Sequence, residues 1–196
     1  VADPLYKLTT RWVHEYVIES NKIDPQKHDH QNSPGDAHYD DHVEALYYVI
    51  DQAVQNRLAD PVTVHSTLMR NLRGIEPQDV GQYRRLDVWV GQFKKLRPEK
   101  IAAAMVVWNG KVEDEINYIR SGQLSQEEKR TLVWGLHCHY ENIHPWVDGN
   151  GRSGRLLMVN HALVLGLDPW IIHYGDEQQA YYQRIAGHPT FDLGFV

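Results

Sequence analysis

One cysteine, Cys138, stands in 196 residues, so no internal disulfide framework can hold this chain together and a reducing compartment suits it. No apolar run approaches the roughly 20 residues that span a bilayer, and no basic-then-apolar leader opens the chain. The protein is therefore expected to be soluble and cytoplasmic, with no membrane partner. Basic charge is short as well: 20 Lys and Arg against 26 Asp and Glu leave a net charge of −6. The basic residues are scattered, and a nucleic-acid partner is not expected. Gly-Lys followed by Ser or Thr occurs nowhere, which excludes a Walker-type phosphate loop. Repeats and low-complexity tracts are missing too. A chain of this length makes one domain with a full core, taken as residues 1–196.

What is present is helical periodicity. Leu5, Leu8, Trp12, Val13, Tyr16 and Val17 recur at three- and four-residue spacing and predict an amphipathic helix over about 5–21. A polar loop follows from Asp24 to about Gly35. Val43, Leu46, Tyr47, Ile50 and Val54 mark a second helix, and Asp60-Pro61 supplies the cap and first-turn proline of a third. Between Gly81 and Phe93, Tyr83, Val88, Trp89 and Val90 sit among glycines and polar residues, the composition of a short β-hairpin. Pro98 opens a helix through Ile101, Met105, Val106 and Val107 that continues or restarts before Ile116 and Ile119. Ser125 to Glu128 is a capping-box pattern for a helix running to about Asn142. Leu156, Leu157, Val159, Leu163 and Val164 make 151–165 the central buried helix, ended by Gly166. Asp176 is read as the cap of a last helix carrying Tyr181, Tyr182 and Ile185. The fold class is all-α, mainly helical, with one short hairpin.

The chemistry is concentrated in His144-Pro145-Trp146-Val147-Asp148-Gly149-Asn150-Gly151-Arg152-Ser153-Gly154-Arg155. Gly149, Asn150 and Gly151 carry little side-chain bulk, so successive backbone N–H groups can converge on a phosphate at the start of the following helix. Arg152 and Arg155 stand one helical turn apart, which lets both guanidinium forks clamp further phosphate oxygens. Asp148 is a hard oxygen ligand placed for a Mg²⁺ ion bridging two phosphates. His144 titrates nearest neutral pH and can take a proton from an incoming hydroxyl. Together these residues make a site for polyphosphate chemistry. His137 and His139 could join His144 as metal ligands, but positions two apart on a helix face different ways, and zinc is not expected. The cluster His28, His30, His38, Asp40, Asp41 and His42 lacks a recognised ligand spacing and reads as a solvated acidic loop.

The string from His144 to Arg155 resembles the signature of the Fic family, HPFx(D/E)GNGRxxR, with Trp146 in place of the usual Phe as its one departure. An aromatic there is expected to anchor the loop in the core. The order of helices, one hairpin, then helix, catalytic loop and helix, is similar to the Fic fold over most of the chain, most strongly from Leu132 to Ile185. The resemblance implies a protein adenylyltransferase with ATP as substrate and Mg²⁺ as cofactor. In that reading His144 deprotonates a Ser, Thr or Tyr hydroxyl, which attacks the α-phosphorus and expels pyrophosphate. Asp148 holds the metal, and Asn150 with the backbone from Gly149 to Gly151 fixes the α-phosphate. Arg152 meets the inner phosphates, Arg155 the γ-phosphate, and Tyr181 or Tyr182 the adenine.

The same resemblance makes the hairpin a flap, opened by Gly81-Gln82-Tyr83-Arg84 and edged by Asp87, Val88, Trp89, Val90 and Gly91, that holds a target peptide by strand addition. The partner is then a protein with a hydroxyl side chain, this protein itself included; a homodimer is compatible, and a secreted effector would act in a host cell. Ile18-Glu19-Ser20-Asn21 resembles in part the inhibitory motif (S/T)xxxE(G/N) of one group of Fic proteins, with Glu15 where Ser or Thr is expected and Ser20 for Gly or Asn. It implies an autoinhibitory Glu19 paired with Arg155. The alternatives are a Fic enzyme that removes AMP or uses another nucleotide, and a nucleotide-binding regulatory module without catalysis.

Overall fold

A computed structural model describes residues 8–23, 33–122 and 124–188; Leu5, His28 and His30 lie outside them. Within the described residues there are seven helices, α1 Thr10–Lys22, α2 Ala37–Val54, α3 Pro61–Met69, α4 Pro98–Ser121, α5 Gln126–Ile143, α6 Asn150–Val164 and α7 Asp176–Gly187, and one hairpin, β1 Trp89–Val90 with β2 Phe93–Lys94. The mainly helical fold class holds, and the reasons are local. Thr9 caps α1 by accepting from Trp12 N–H at 3.2 Å. Asp60 caps α3 through Thr63 N–H at 2.9 Å, with Pro61 in the first turn. At α5 the Ser125 side chain and Glu128 satisfy each other's backbone N–H groups, the full capping box. Asp176 does not cap α7: the residue there is Gly175, which offers no side chain.

Of the two courses left open for the Pro98 helix, α4 takes the continuous one, through Gly110. One boundary differs from the periodicity. α2 begins at Ala37 and carries His38, Asp41 and His42 on its buried side, so these three do not belong to a solvated loop. Asp41 instead accepts from Arg70 Nη2 at 2.6 Å and from Asn71 N–H at 2.9 Å.

The apolar 156–163 stretch is buried throughout, and α6 is the central helix, packed between α2, α3 and α5. α4 closes over α5, where Trp108 Nε1 donates to Leu136 C=O at 2.9 Å. The hairpin is shorter than its composition suggests. Its register pairs Trp89 with Lys94 and Val90 with Phe93, while Tyr83 and Arg84 turn inward. No described helix is long and apolar enough to cross a membrane.

Candidate active site

The junction between α5 and α6 is built around a tied loop. α5 ends at His144, which adopts φ 53° and ψ 65°, a left-handed conformation. The chain then reverses, and Asn150 locks the reversal: its Oδ1 accepts from Trp146 N–H at 2.9 Å and its Nδ2 donates to Trp146 C=O at 3.0 Å. Both polar ends of this buried side chain hold the loop. Gly149 precedes the helix at φ 78°, and a Cβ there would come within 2.5 Å of Met69 Sδ. It leaves the first turn of α6 without a side-chain cap, and helix N–H groups in that state attract anions.

Trp146 anchors this loop. It is fully buried, lies flat on His65 with ring centroids 4.2 Å apart, and meets Tyr83 at 5.0 Å. Its Nε1 donates to the Tyr140 hydroxyl at 2.6 Å, and that hydroxyl shares a 2.9 Å hydrogen bond with Ser153 Oγ. An indole can replace a phenyl here because its buried N–H finds a partner.

His144 stands at the mouth of the loop with 16% of its side chain exposed; its Nδ1 is 4.0 Å from Glu141 Oε2, too far for a hydrogen bond. Burial, followed by the charges of Lys95 and Arg84, pushes its pKa down to about 3. The ring is therefore neutral near pH 7. Asp148 is 25% exposed and accepts from Arg152 Nη2 at 3.1 Å and from Gly149 N–H at 2.6 Å. It is the one acidic side chain of the loop, and no cluster of three ligands forms among the described residues. This donor set fits an ion held by one carboxylate and by phosphate oxygens, as Mg²⁺ is in nucleotide sites.

Both arginines are buried and engaged. Arg152 Nη1 donates to His38 Nε2 at 2.6 Å. Arg155 donates from Nε to Ser20 Oγ at 3.0 Å, from Nη2 to Ser20 C=O at 2.7 Å and from Nη1 to the Tyr181 hydroxyl at 3.2 Å. The expected Glu19–Arg155 pair is not what the structure places there. Glu19 binds Lys22 Nζ at 2.8 Å and Tyr174 N–H at 2.8 Å, and Glu15 reaches His173 at 3.3 Å. Helical phase explains the difference. Val13, Tyr16, Val17 and Ser20 form the buried stripe of α1, and Glu19, one residue back, is rotated by about 100° toward the 173–174 segment.

Tyr181 also departs from its expected role. Only 3% exposed, it lies beneath Arg155 and hydrogen-bonds His137 Nε2 at 3.0 Å, which leaves no open face for a nucleobase. Tyr182 donates to Ile23 C=O at 2.5 Å and ties α7 to the end of α1.

The hairpin presents Trp89 at 61% and Phe93 at 55% exposure, with Asp87 and Lys94 paired at 2.6 Å; Val88 C=O accepts from Lys95 N–H at 3.1 Å, and Gly91 makes the turn at φ 58°. Its root is held by a residue whose part the sequence did not reveal. Arg84 is buried; its Nε donates to His144 C=O at 2.7 Å, Nη1 to Leu86 C=O at 2.7 Å and Nη2 to Leu96 C=O. Its own N–H donates to Pro145 C=O at 2.9 Å. One guanidinium thus fastens both legs of the hairpin to the backbone of His144. The contacts of Ser20, His38, His65 and Tyr140 likewise carry no local signal in the sequence.

A mainly helical frame thus gathers an uncapped helix start, a neutral histidine, one carboxylate and two buried arginines around a single tied loop. The Fic/DOC family model matches residues 57–162, more than half of the chain, and the chain belongs to the Fic/DOC family. It is similar to the protein adenylyltransferase Fic of Nematostella vectensis, 29% identical over 154 residues that cover 74% of this chain and 33% of that protein. The protein of the same name from Drosophila mojavensis is 31% identical over 141 residues, 70% of this chain and 26% of that one. The chain thus spans about a third or less of the length of these relatives. Among solved structures, a Fic domain-containing signaling protein from Bacteroides thetaiotaomicron superposes with a TM-score of 0.74 at 21% identity, over 93% of this chain and 74% of that one. A fragment of Fic-1 from C. elegans gives 0.66 at 16% identity, over 100% and 60%. These two likenesses show the fold.

Proposed function

We propose that this chain is the catalytic domain of a protein adenylyltransferase, which joins the α-phosphorus of ATP to a Ser, Thr or Tyr hydroxyl of a protein and releases pyrophosphate. The observation that carries this reading is the α5–α6 junction, where a neutral His144 immediately precedes a loop that leaves the first turn of α6 uncapped. In the reaction the hydroxyl oxygen bonds to the α-phosphorus, the bond to the bridging oxygen of the β-phosphate breaks, and the hydroxyl proton passes to His144. The first-turn N–H groups and the positive end of α6 meet the charge on the α-phosphate. Arg152 and Arg155 take the remaining phosphates after giving up His38 and Ser20. Asp148 would hold Mg²⁺, which supplies neutralisation of the phosphate charge. The exposed edge at Trp89, Val90 and Phe93 suits pairing with an extended target segment, this protein's own included.

α1 is autoinhibitory in the same reading. Ser20 fills the Arg155 fork that the γ-phosphate needs, and Glu19 fastens α1 to the Tyr174 N–H so that Ser20 stays in place. Glu19 therefore acts through Ser20.

The test is the intact mass of the purified protein, and of proteins mixed with it, after incubation with Mg²⁺ and ATP. An added AMP is expected, absent from His144→Ala, which should still bind ATP. Added phosphate instead of AMP, or failure of the wild type to bind ATP, would overturn the proposal.

A further inference from the structure

We propose that His65, on α3, is a positioning residue for this site: its neutral imidazole pins the Asp148–Gly149 peptide to the root of the flap and so sets the Asp148 carboxylate and the start of α6. The inference rests on the transferase reading above.

The His65 ring is fully buried and both nitrogens are used. Nδ1 accepts from Gly81 N–H at 3.0 Å, and Nε2 lies 3.0 Å from Asp148 C=O. A backbone N–H can only donate and a carbonyl can only accept, so the geometry admits one species, the neutral Nε2–H tautomer. A protonated ring would set its own N–H against that of Gly81. The flat face of the ring supports Trp146, 4.2 Å away at an interplanar angle of 12°. Three segments far apart in the chain, α3, the flap root and the catalytic loop, therefore meet on one side chain.

The consequence for the loop is direct. Asp148 C=O belongs to the peptide that leads into Gly149, whose φ of 78° starts the turn into α6. With that carbonyl held, the peptide cannot rotate, and its N–H stays on Asp148 Oδ1 at 2.6 Å. The same oxygen receives Arg152 Nη2 at 3.1 Å. A loosened Asp148 carbonyl would thus disturb a carboxylate, an arginine and a helix start together. Gly81 adds the flap: its N–H is held by the same ring, three residues before Arg84 takes Pro145 C=O. His65 touches no phosphate in this account and acts through Asp148.

Two half-mimics separate the bonds. Asn at position 65 offers an acceptor near the place of Nδ1 but no donor that reaches Asp148, whereas Gln offers a donor near the place of Nε2. Three quantities are read for wild type, His65→Asn and His65→Gln: amide exchange across 144–151 without nucleotide, affinity for Mn²⁺-ATP by calorimetry, and kcat and KM for AMP transfer, each under conditions where urea melts show full folding. His65→Asn is expected to speed exchange in 144–151 well beyond the rest of the chain and to weaken Mn²⁺-ATP by about tenfold or more, the usual range for a supporting contact behind a metal ligand. Its kcat should fall while KM for the acceptor protein holds. His65→Gln should restore most of each. Equal losses in both variants, or wild-type exchange in His65→Asn, would overturn the inference. If the wild type itself binds no Mn²⁺-ATP, the transferase reading falls, and the nucleotide-free exchange still decides the role of His65.

Discussion

A single hydrogen bond sets what the aromatic at position 146 can be. The Trp146 indole N–H is buried against the Tyr140 hydroxyl, so Trp146→Phe removes a bond whose partner keeps its other contact, to Ser153 Oγ. The variant should lose about 2 kcal/mol or more in urea unfolding, from the lost bond and from the smaller ring left in a fully buried space, and keep AMP transfer near the wild-type rate. At Arg155 the contest lies between neighbouring residues. Ser20→Ala removes the Nε contact directly, and Glu19→Gly releases the Tyr174 N–H that holds α1 in place. Both should raise the initial rate of AMP transfer. If neither does, α1 is a structural helix and has no part in control.

The hairpin and the helix pair depend on contacts that cross elements. Arg84 donates to carbonyls of the catalytic loop and of both hairpin legs, so Arg84→Met leaves several buried acceptors unpaired. A loss of about 3 kcal/mol or more is expected from such unmet groups. Faster amide exchange over 86–96 should accompany it, and Arg84→Lys should recover only part, since an ammonium lacks the planar fork. At the crossing of α5 and α6, a Cβ on Gly154 would fall 2.5 Å from Glu141 Oε1 and 3.0 Å from Tyr140 Cδ1. Gly154→Ala should therefore cost about 1–3 kcal/mol in unfolding free energy through overpacking. The helices themselves were legible because caps and periodicity act over a few residues: Asp60-Pro61 and the Ser125–Glu128 box need no distant partner. α4 was harder to bound, since Gly110 inside it is a weak breaker that tertiary packing overrides.

Across the whole molecule, what the sequence hid was pairing at long range. Ser20 and Arg155 are 135 residues apart, His38 and Arg152 114. His65 lies on the buried stripe of α3 with Val64, Leu68 and Met69, so its burial could be read, yet not that Gly81 and Asp148 would be its partners. Buried histidines also give the fold its acid response. Burial lowers the pKa of His65 and His161 to about 4, and that of His137 to about 3. His42 is held well below its ordinary value by burial and then by neighbouring His38, Arg152 and Arg155. In the unfolded chain each ring takes a proton as pH falls through about 6.5, whereas in the fold each stays neutral to much lower pH. The unfolded state binds more protons in that window, so stability is complete above about 6.5 and is lost as pH falls toward 4. The unfolding free energy from urea melts should drop between pH 7 and 5 with a slope above about 1.4 kcal/mol per pH unit, the value for one proton, and the midpoint should fall with it. A midpoint that is flat or rises on acidification would mean that the folded protein already accommodates charged rings.

The left-handed backbone of His144 carries a further consequence. A side chain at φ 53° sits in a conformation that glycine adopts freely and alanine resists. The position is therefore a compromise in which the base of the proposed transfer is less comfortable than the residue the helix end would prefer. Two inactive variants should then differ in robustness: His144→Gly should be about 1 kcal/mol more stable than His144→Ala in urea melts. If the proposed transfer holds, the glycine variant is the better trap for ATP and an acceptor protein without turnover, and a reversed order of stability would show that the αL geometry at the end of α5 is set by the histidine ring itself.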